Sequence, residues 1–140
     1  MTDIKKVNLK EKIIGEMMVD YSNSLDKSFN LAKQFIRITK DGKVDVLQKE
    51  KLSGTEQISL YLIGKLYAKE AGFALTDDAS NTELMNELGI LKGSLLPWIK
   101  ELRDKKKIKS IKREKLSQHH ISINIVEKTL KEIEAKLNKR

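Results

Sequence analysis

From Leu9 onward apolar residues return every four positions, at Ile13, Met17 and Tyr21, with Ile14 and Met18 widening the stripe. This spacing predicts an amphipathic helix capped by Asn8. A second short helix is expected over 24–34, with Leu25, Phe29, Ala32 and Phe35 on one side. The period then changes from 3.6 to 2, because apolar residues alternate on both sides of Asp41-Gly42, the mark of a β-hairpin. A two-residue loop would set Ile38 opposite Asp45 and mix the faces. A three-residue loop of Lys40, Asp41 and Gly42, with Gly42 left-handed, pairs Ile38 with Val44 and Ile36 with Val46 and sets Arg37 opposite Asp45, so this is the expected register. Residues 48–52 read as a polar connection.

Ser53 and Glu56 form a capping box. The helix it opens carries Ile58, Tyr61, Leu62, Leu66 and Tyr67 and stops at Gly72. Leu60 and Ile63 make it apolar on more than one face, as befits a central helix covered on several sides. Residues 73–75 read as a minimal strand. Ser80 and Glu83 make a second capping box. After a turn over 89–93, Ser94 is expected to cap a helix containing Leu95, Trp98, Ile99 and Leu102, with Pro97 in its first turn. Further on, Ile121 and Ile123 alternate as in a strand, Ile108 and Ile111 mark its partner, and 113–118 read as the loop between them. Asn124 is expected to cap a last helix whose Val126, Leu130, Ile133 and Leu137 form a short heptad seam.

Charge changes this picture once it is divided along the chain. Residues 1–102 carry fifteen cations and fifteen carboxylates, whereas 103–115 carry eight against two and 116–140 five against three, so the whole excess of +8 follows Leu102. Dipole complementation at a helix end fades within one turn and does not need eight cations in thirteen residues. A surface for a polyanion is therefore expected.

Residues 81–100 resemble the helix-turn-helix motif, which places apolar residues at its fourth, eighth, tenth, fifteenth and eighteenth positions and glycine at its ninth. Leu84, Leu88, Ile90, Leu95, Trp98 and Gly89 fill all six. The order of helix, short strand, helix, turn, helix, strand, basic loop and strand over 53–123 is similar to the winged helix-turn-helix superfamily. The expected fold is thus mainly α with small β elements: an N-terminal extension of helices plus hairpin (1–52), a winged helix-turn-helix domain (53–123), and a C-terminal helix (124–140). The resemblance implies duplex DNA as partner, in a transcriptional regulator or a weakly specific DNA-organising protein. Lys92, Ser94 and Lys100 would then lie on the recognition helix, and Arg103, Lys105, Lys106, Lys107, Lys109, Lys112, Arg113 and Lys115 on the basic wing. Base-reading Arg, Asn and Gln are missing from the outward positions of that helix. The alternative is a protein-interaction module in a larger complex that uses Leu91, Leu96 and Pro97. The seam Val126, Leu130, Ile133 and Leu137 is the expected homodimer contact.

Other chemistry is excluded or unsupported. With no cysteine, disulfides, iron–sulfur clusters, thiolate zinc sites and a cysteine nucleophile are ruled out. No phosphate loop, nucleophile elbow or metal-ligand spacing appears, so neither catalysis, cofactor nor metal is expected. His119 and His120 are adjacent and read as surface residues, and Asp77 and Asp78 as helix-capping carboxylates. Hydrophobic residues make up 39% and charged residues 34%, the longest apolar run is only 58–64, and no secretory leader is visible. The expectation is a cytoplasmic protein with no membrane partner.

Overall fold

The computed structural model describes residues 8–18 and 23–140. Tyr21 of the first predicted stripe lies outside them. Residues 8–12 are helical (α1) and continue as a π-helical turn over Ile13–Met17, so Asn8 is inside the helix rather than its cap. The predicted helix over 24–34 is broken at Ser28 into α2 (Ser24–Lys27) and α3 (Phe29–Ala32). Leu25, Ala32 and Phe35 face the core as expected, whereas Phe29 is exposed.

The hairpin forms in the expected register. β1 (Ile36–Ile38) and β2 (Val44–Val46) pair Ile36 with Val46, Arg37 with Asp45 and Ile38 with Val44, and Gly42 is left-handed at φ 83°. Its inner face lies on α4 (Gly54–Glu70). A methyl group at Gly64 would come within 2.3 Å of Val44 Cγ1 and 3.2 Å of Ile36 Cγ2, so the missing side chain is what lets sheet and helix approach.

The capping box holds α4 at its N-terminus: Glu56 N–H donates to Ser53 Oγ at 3.2 Å, and Ser53 N–H to Glu56 Oε1 at 2.8 Å. At the other end Phe73 N–H bonds Ala68 O and Gly72 N–H bonds Lys69 O, a Schellman stop. Ile58, Leu60, Leu62 and Ile63 are fully buried, because the hairpin, the two helices over Asn81–Leu88 and Lys92–Asp104, and α7 (Val126–Asn138) supply the neighbouring surfaces.

The short strand after α4 is displaced from its predicted position. Residues 73–75 form no strand, and Leu75 is fully solvated; β3 is Ala79–Ser80. Then follow α5 (Asn81–Leu88), Gly89 in the left-handed region at φ 68°, and α6 (Lys92–Asp104). Leu91 is the N-cap residue of α6, which corrects two expectations. Ser94 is already in the first turn and caps nothing. Pro97 sits in the second turn, where its missing N–H leaves the Gly93 carbonyl without its helical donor. At the second predicted capping box only half is made, since Ser80 Oγ accepts from Glu83 N–H while the Glu83 carboxylate turns to Tyr61 and Lys65 on α4.

β4 (Lys109–Arg113) and β5 (Leu116–His120) close the sheet, in the order β3-β5-β4, all antiparallel. The loop between them is a two-residue turn, Glu114 and Lys115, rather than the predicted 113–118. Ile123 leaves the strand and enters a 3-10 turn, Ile123–Ile125, and Ile125 rather than Asn124 precedes α7. Val126, Leu130 and Ile133 are buried against α2, α3 and α4 of their own chain, with Leu137 half-buried beside them, so the predicted dimer seam is core. One continuous hydrophobic cluster runs from Leu25 to Ile133 and passes through all three predicted regions. The molecule is mostly helical with two small antiparallel sheets.

Candidate nucleic-acid interface

The six residues of the expected motif pack together around the turn between α5 and α6. Leu84 and Leu95 are fully buried, Leu88 and Ile90 nearly so, and Trp98 lies half-buried against the start of α4, where a methyl group on Gly54 would strike its ring. Gly89 adopts the left-handed conformation that ends α5 without the cost of a β-carbon, roughly 1–2 kcal/mol for most residues. The outward side of α6 carries Lys92, Gly93, Leu96, Pro97 and Lys100, with Glu101, Arg103 and Asp104 in its last turn, so Arg103 lies on the helix rather than on the wing; Leu91 just before it is 79% exposed and Leu96 44%.

The predicted cations divide into two groups. Lys100 reaches Asp104 at 3.0 Å and Lys105 reaches Glu101 at 4.0 Å, both exposed pairs one turn apart. Such pairs contribute at most about 1 kcal/mol, but they reduce the positive field of α6. Lys107 is tied to Glu132 of α7 at 2.8 Å, and Arg113 to the nearly buried Asp78 at 3.4 Å. These two anchor structure. Among the described residues, Lys92, Arg103, Lys106, Lys109, Lys112 and Lys115 have no carboxylate partner. Ser94 is half-buried.

Register decides where the wing cations point. Ser110 pairs with His119 and Lys112 with Ser117; His119 and its other neighbour Ala79 are buried, so this face lies toward the helices and carries Lys112 at its outer end. Lys109, Ile111 and Arg113 alternate onto the opposite face. Lys115 occupies the turn itself. Lys109 opens the hairpin at its base, opposite His120, whereas Lys112 and Lys115 lie at its turn, so the phosphate-binding candidates are spread along the hairpin instead of forming one stripe.

The backbone is strained on either side of β4. Lys106, Glu114 and Lys115 have φ of 59°, 51° and 71°, in the region that favours glycine. Lys106 follows the end of α6, where Lys107 N–H bonds Leu102 O at 2.8 Å in a glycine-type stop. Glu114 and Lys115 form a mirror-image turn that Asn-Gly ordinarily fills. All three positions carry charge where glycine or asparagine would be relaxed.

One buried cluster escaped the sequence. His119, 2% exposed, makes two bonds of 2.6 Å, from Nδ1 to Ser110 Oγ and from Nε2 to Asn81 Oδ1. The Asn81 oxygen accepts only, so Nε2 carries the proton and Ser110 donates to Nδ1. Burial, aided by the positive charges of Arg103 and His120, lowers the His119 pKa from 6.5 to about 4 and keeps the ring neutral. The surface role expected for His119 is therefore wrong: it joins β4, β5 and the first turn of α5. A six-residue loop over 113–118 hides this contact, since only the two-residue turn brings Ser110 opposite His119. Asp78 likewise acts by holding Arg113 and accepting from Thr76 Oγ1 at 3.1 Å.

Among the described residues no helix is long and apolar enough to cross a membrane. Comparison with known proteins finds no matching family model, no matching curated protein and no matching solved structure.

Proposed function

We propose that residues 53–123 form a winged helix-turn-helix module that binds duplex DNA, with α6 as recognition helix and β4–β5 as wing. The order α4, β3, α5, α6, β4, β5 and the strand order β3-β5-β4 support the fold reading, together with the left-handed Gly89 between α5 and α6. The observation that carries the function is the set of cations along β4, in its turn and in the segment leading into it that lack a carboxylate partner among the described residues: Lys106, Lys109, Lys112 and Lys115. These reach phosphates. They carry no sequence information.

The outward side of α6 favours a weakly specific DNA-organising role over a sequence-reading regulator. Its N-terminal turns offer only lysines among Leu91, Leu96 and Pro97, the one arginine, Arg103, stands in the last turn, and α6 as a whole has three cations against two carboxylates. The activity is binding, not catalysis. The exposure of Leu91 and Leu96 supports a second reading, in which this side of α6 meets a protein.

Fluorescence anisotropy with labelled duplex DNA, single-stranded DNA and RNA at several salt concentrations tests the proposal. The expected result is duplex binding with little sequence preference and a log affinity against log salt slope of about −4 to −5. No duplex binding at low salt overturns it in favour of the protein contact.

A further inference from the structure

The β4–β5 hairpin carries an apolar feature that phosphate binding does not use. Side chains alternate along its ladder, so Ser110, Lys112, Ser117 and His119 lie on the face toward the helices, and Ile111, Arg113, Leu116 and Gln118 on the other. On this outer face Leu116 is 61% exposed and Ile111 40%. Leu116 pairs with Arg113, the last pair before the turn, and Ile111 pairs with Gln118 one same-face step farther in. The two apolar residues thus stand diagonally across the ladder at its outer end.

Their surroundings select the occupant. Lys112 in the ladder and Lys115 in the turn stand close to Leu116, and neither meets a carboxylate among the described residues. Glu114 is the one carboxylate at the tip, against Lys112, Arg113 and Lys115, so this end stays positive. A duplex matches the pattern, because an apolar base stack lies between two rows of phosphates. The pairing also runs to the tip, closed by a two-residue turn, so Leu116 is held on a paired strand instead of a loose loop. A side chain that unstacks bases has to be held in this way, since a mobile one would swing aside.

We propose, on the basis of the duplex reading, that Leu116, backed by Ile111, inserts from the minor groove between neighbouring base pairs and bends the duplex, while Lys112 and Lys115 hold the flanking phosphates. A wedge of this kind kinks DNA by roughly 20–90° toward the major groove. It favours steps that unstack easily, such as TA, and so responds to the stiffness of the duplex and not to base identity. The base-reading side chains missing from the N-terminal turns of α6 are not needed for this activity. Bending is the further function that the hairpin adds to binding.

Energy transfer between dyes at the two ends of a duplex of roughly 20 base pairs tests it, with 2-aminopurine replacing the adenine of a central TA step. At saturation the native chain should raise both the end-to-end transfer and the 2-aminopurine fluorescence, which reports unstacking. Leu116→Ser, at an exposed position and with its fold checked by circular dichroism, forgoes the wedge but is spared the unstacking. It should bind within about fivefold of the native affinity and lose most of both signals. Leu116→Met keeps an apolar wedge and should retain them. Lys112→Gln should need more protein to saturate and then reach the native signals. A Leu116→Ser variant that bends and unstacks like the native chain overturns the proposal, as does native binding with neither signal, and both results leave duplex binding standing. A native chain that binds no duplex at low salt overturns the proposal together with the reading on which it rests.

Discussion

His119 Nε2 donates to Asn81 Oδ1 at 2.6 Å across 38 residues of chain, and this bond ties the β4–β5 hairpin to the first turn of α5. Because Ser110 closes the other side of the same ring, one neutral imidazole reinforces the β3–β5 pairing that sets the hairpin against α5.

Stability should therefore fall on mild acidification. The unfolded chain takes up a proton on His119 near 6.5, whereas the folded chain resists until about 4, so the stabilising contribution is complete above 6.5 and is lost as the pH drops toward 4. Glu56 acts in the same direction at lower pH. Its burial works against ionisation, but bonds from Arg140 and Ser53 outweigh this and hold its carboxyl below the usual range. Urea midpoints measured from pH 7.5 to 4 should decline, and His119→Gln should flatten the part above the carboxylate range. An unchanged pH profile in that variant would contradict the assignment.

The wing turn should trade stability for binding. Replacing Glu114-Lys115 with Asn-Gly relaxes two left-handed residues and should stabilise the protein by roughly 1–2 kcal/mol. The same change removes Lys115 and should lower DNA affinity. Thermal denaturation read beside anisotropy checks both signs together, and a variant no more stable than the parent would mean that the turn is not strained.

Gly64→Ala should destabilise by about 1–3 kcal/mol, since the new methyl group meets Val44 on a strand fixed by its pairing. Urea denaturation measures this. An effect below about 0.5 kcal/mol would show that the hairpin lifts freely from α4.

Much of this fold is legible in the sequence wherever the deciding physics is local. The Ser53–Glu56 box, the glycine-ended α5 and the three-residue loop of the first hairpin each depend on residues within a few positions of one another, and all occur as expected. The failures share a different cause. Glu114-Lys115 adopts a turn that its residue types disfavour, and without that turn the Ser110–His119 pairing cannot be deduced. Cap preferences place Ser94 and Pro97 at the start of α6, but Leu91, with no side-chain bond to offer, takes the N-cap position. The α7 seam has the spacing of a coiled coil, and nothing in that spacing distinguishes a partner helix from the chain's own core. Of the expected phosphate-binding residues, Lys107 and Arg113 have ion-pair partners that the sequence hides for the same reason, because Glu132 and Asp78 are remote in sequence.

The most direct test is the salt dependence of duplex binding for the native chain beside Lys109→Gln/Lys112→Gln/Lys115→Gln. Each lost phosphate contact removes about 0.9 from the slope of log affinity against log salt, so the triple variant should be flatter by roughly 2 to 3 and weaker on all duplex sequences alike. A triple variant with the native slope would contradict the wing as the DNA-binding element.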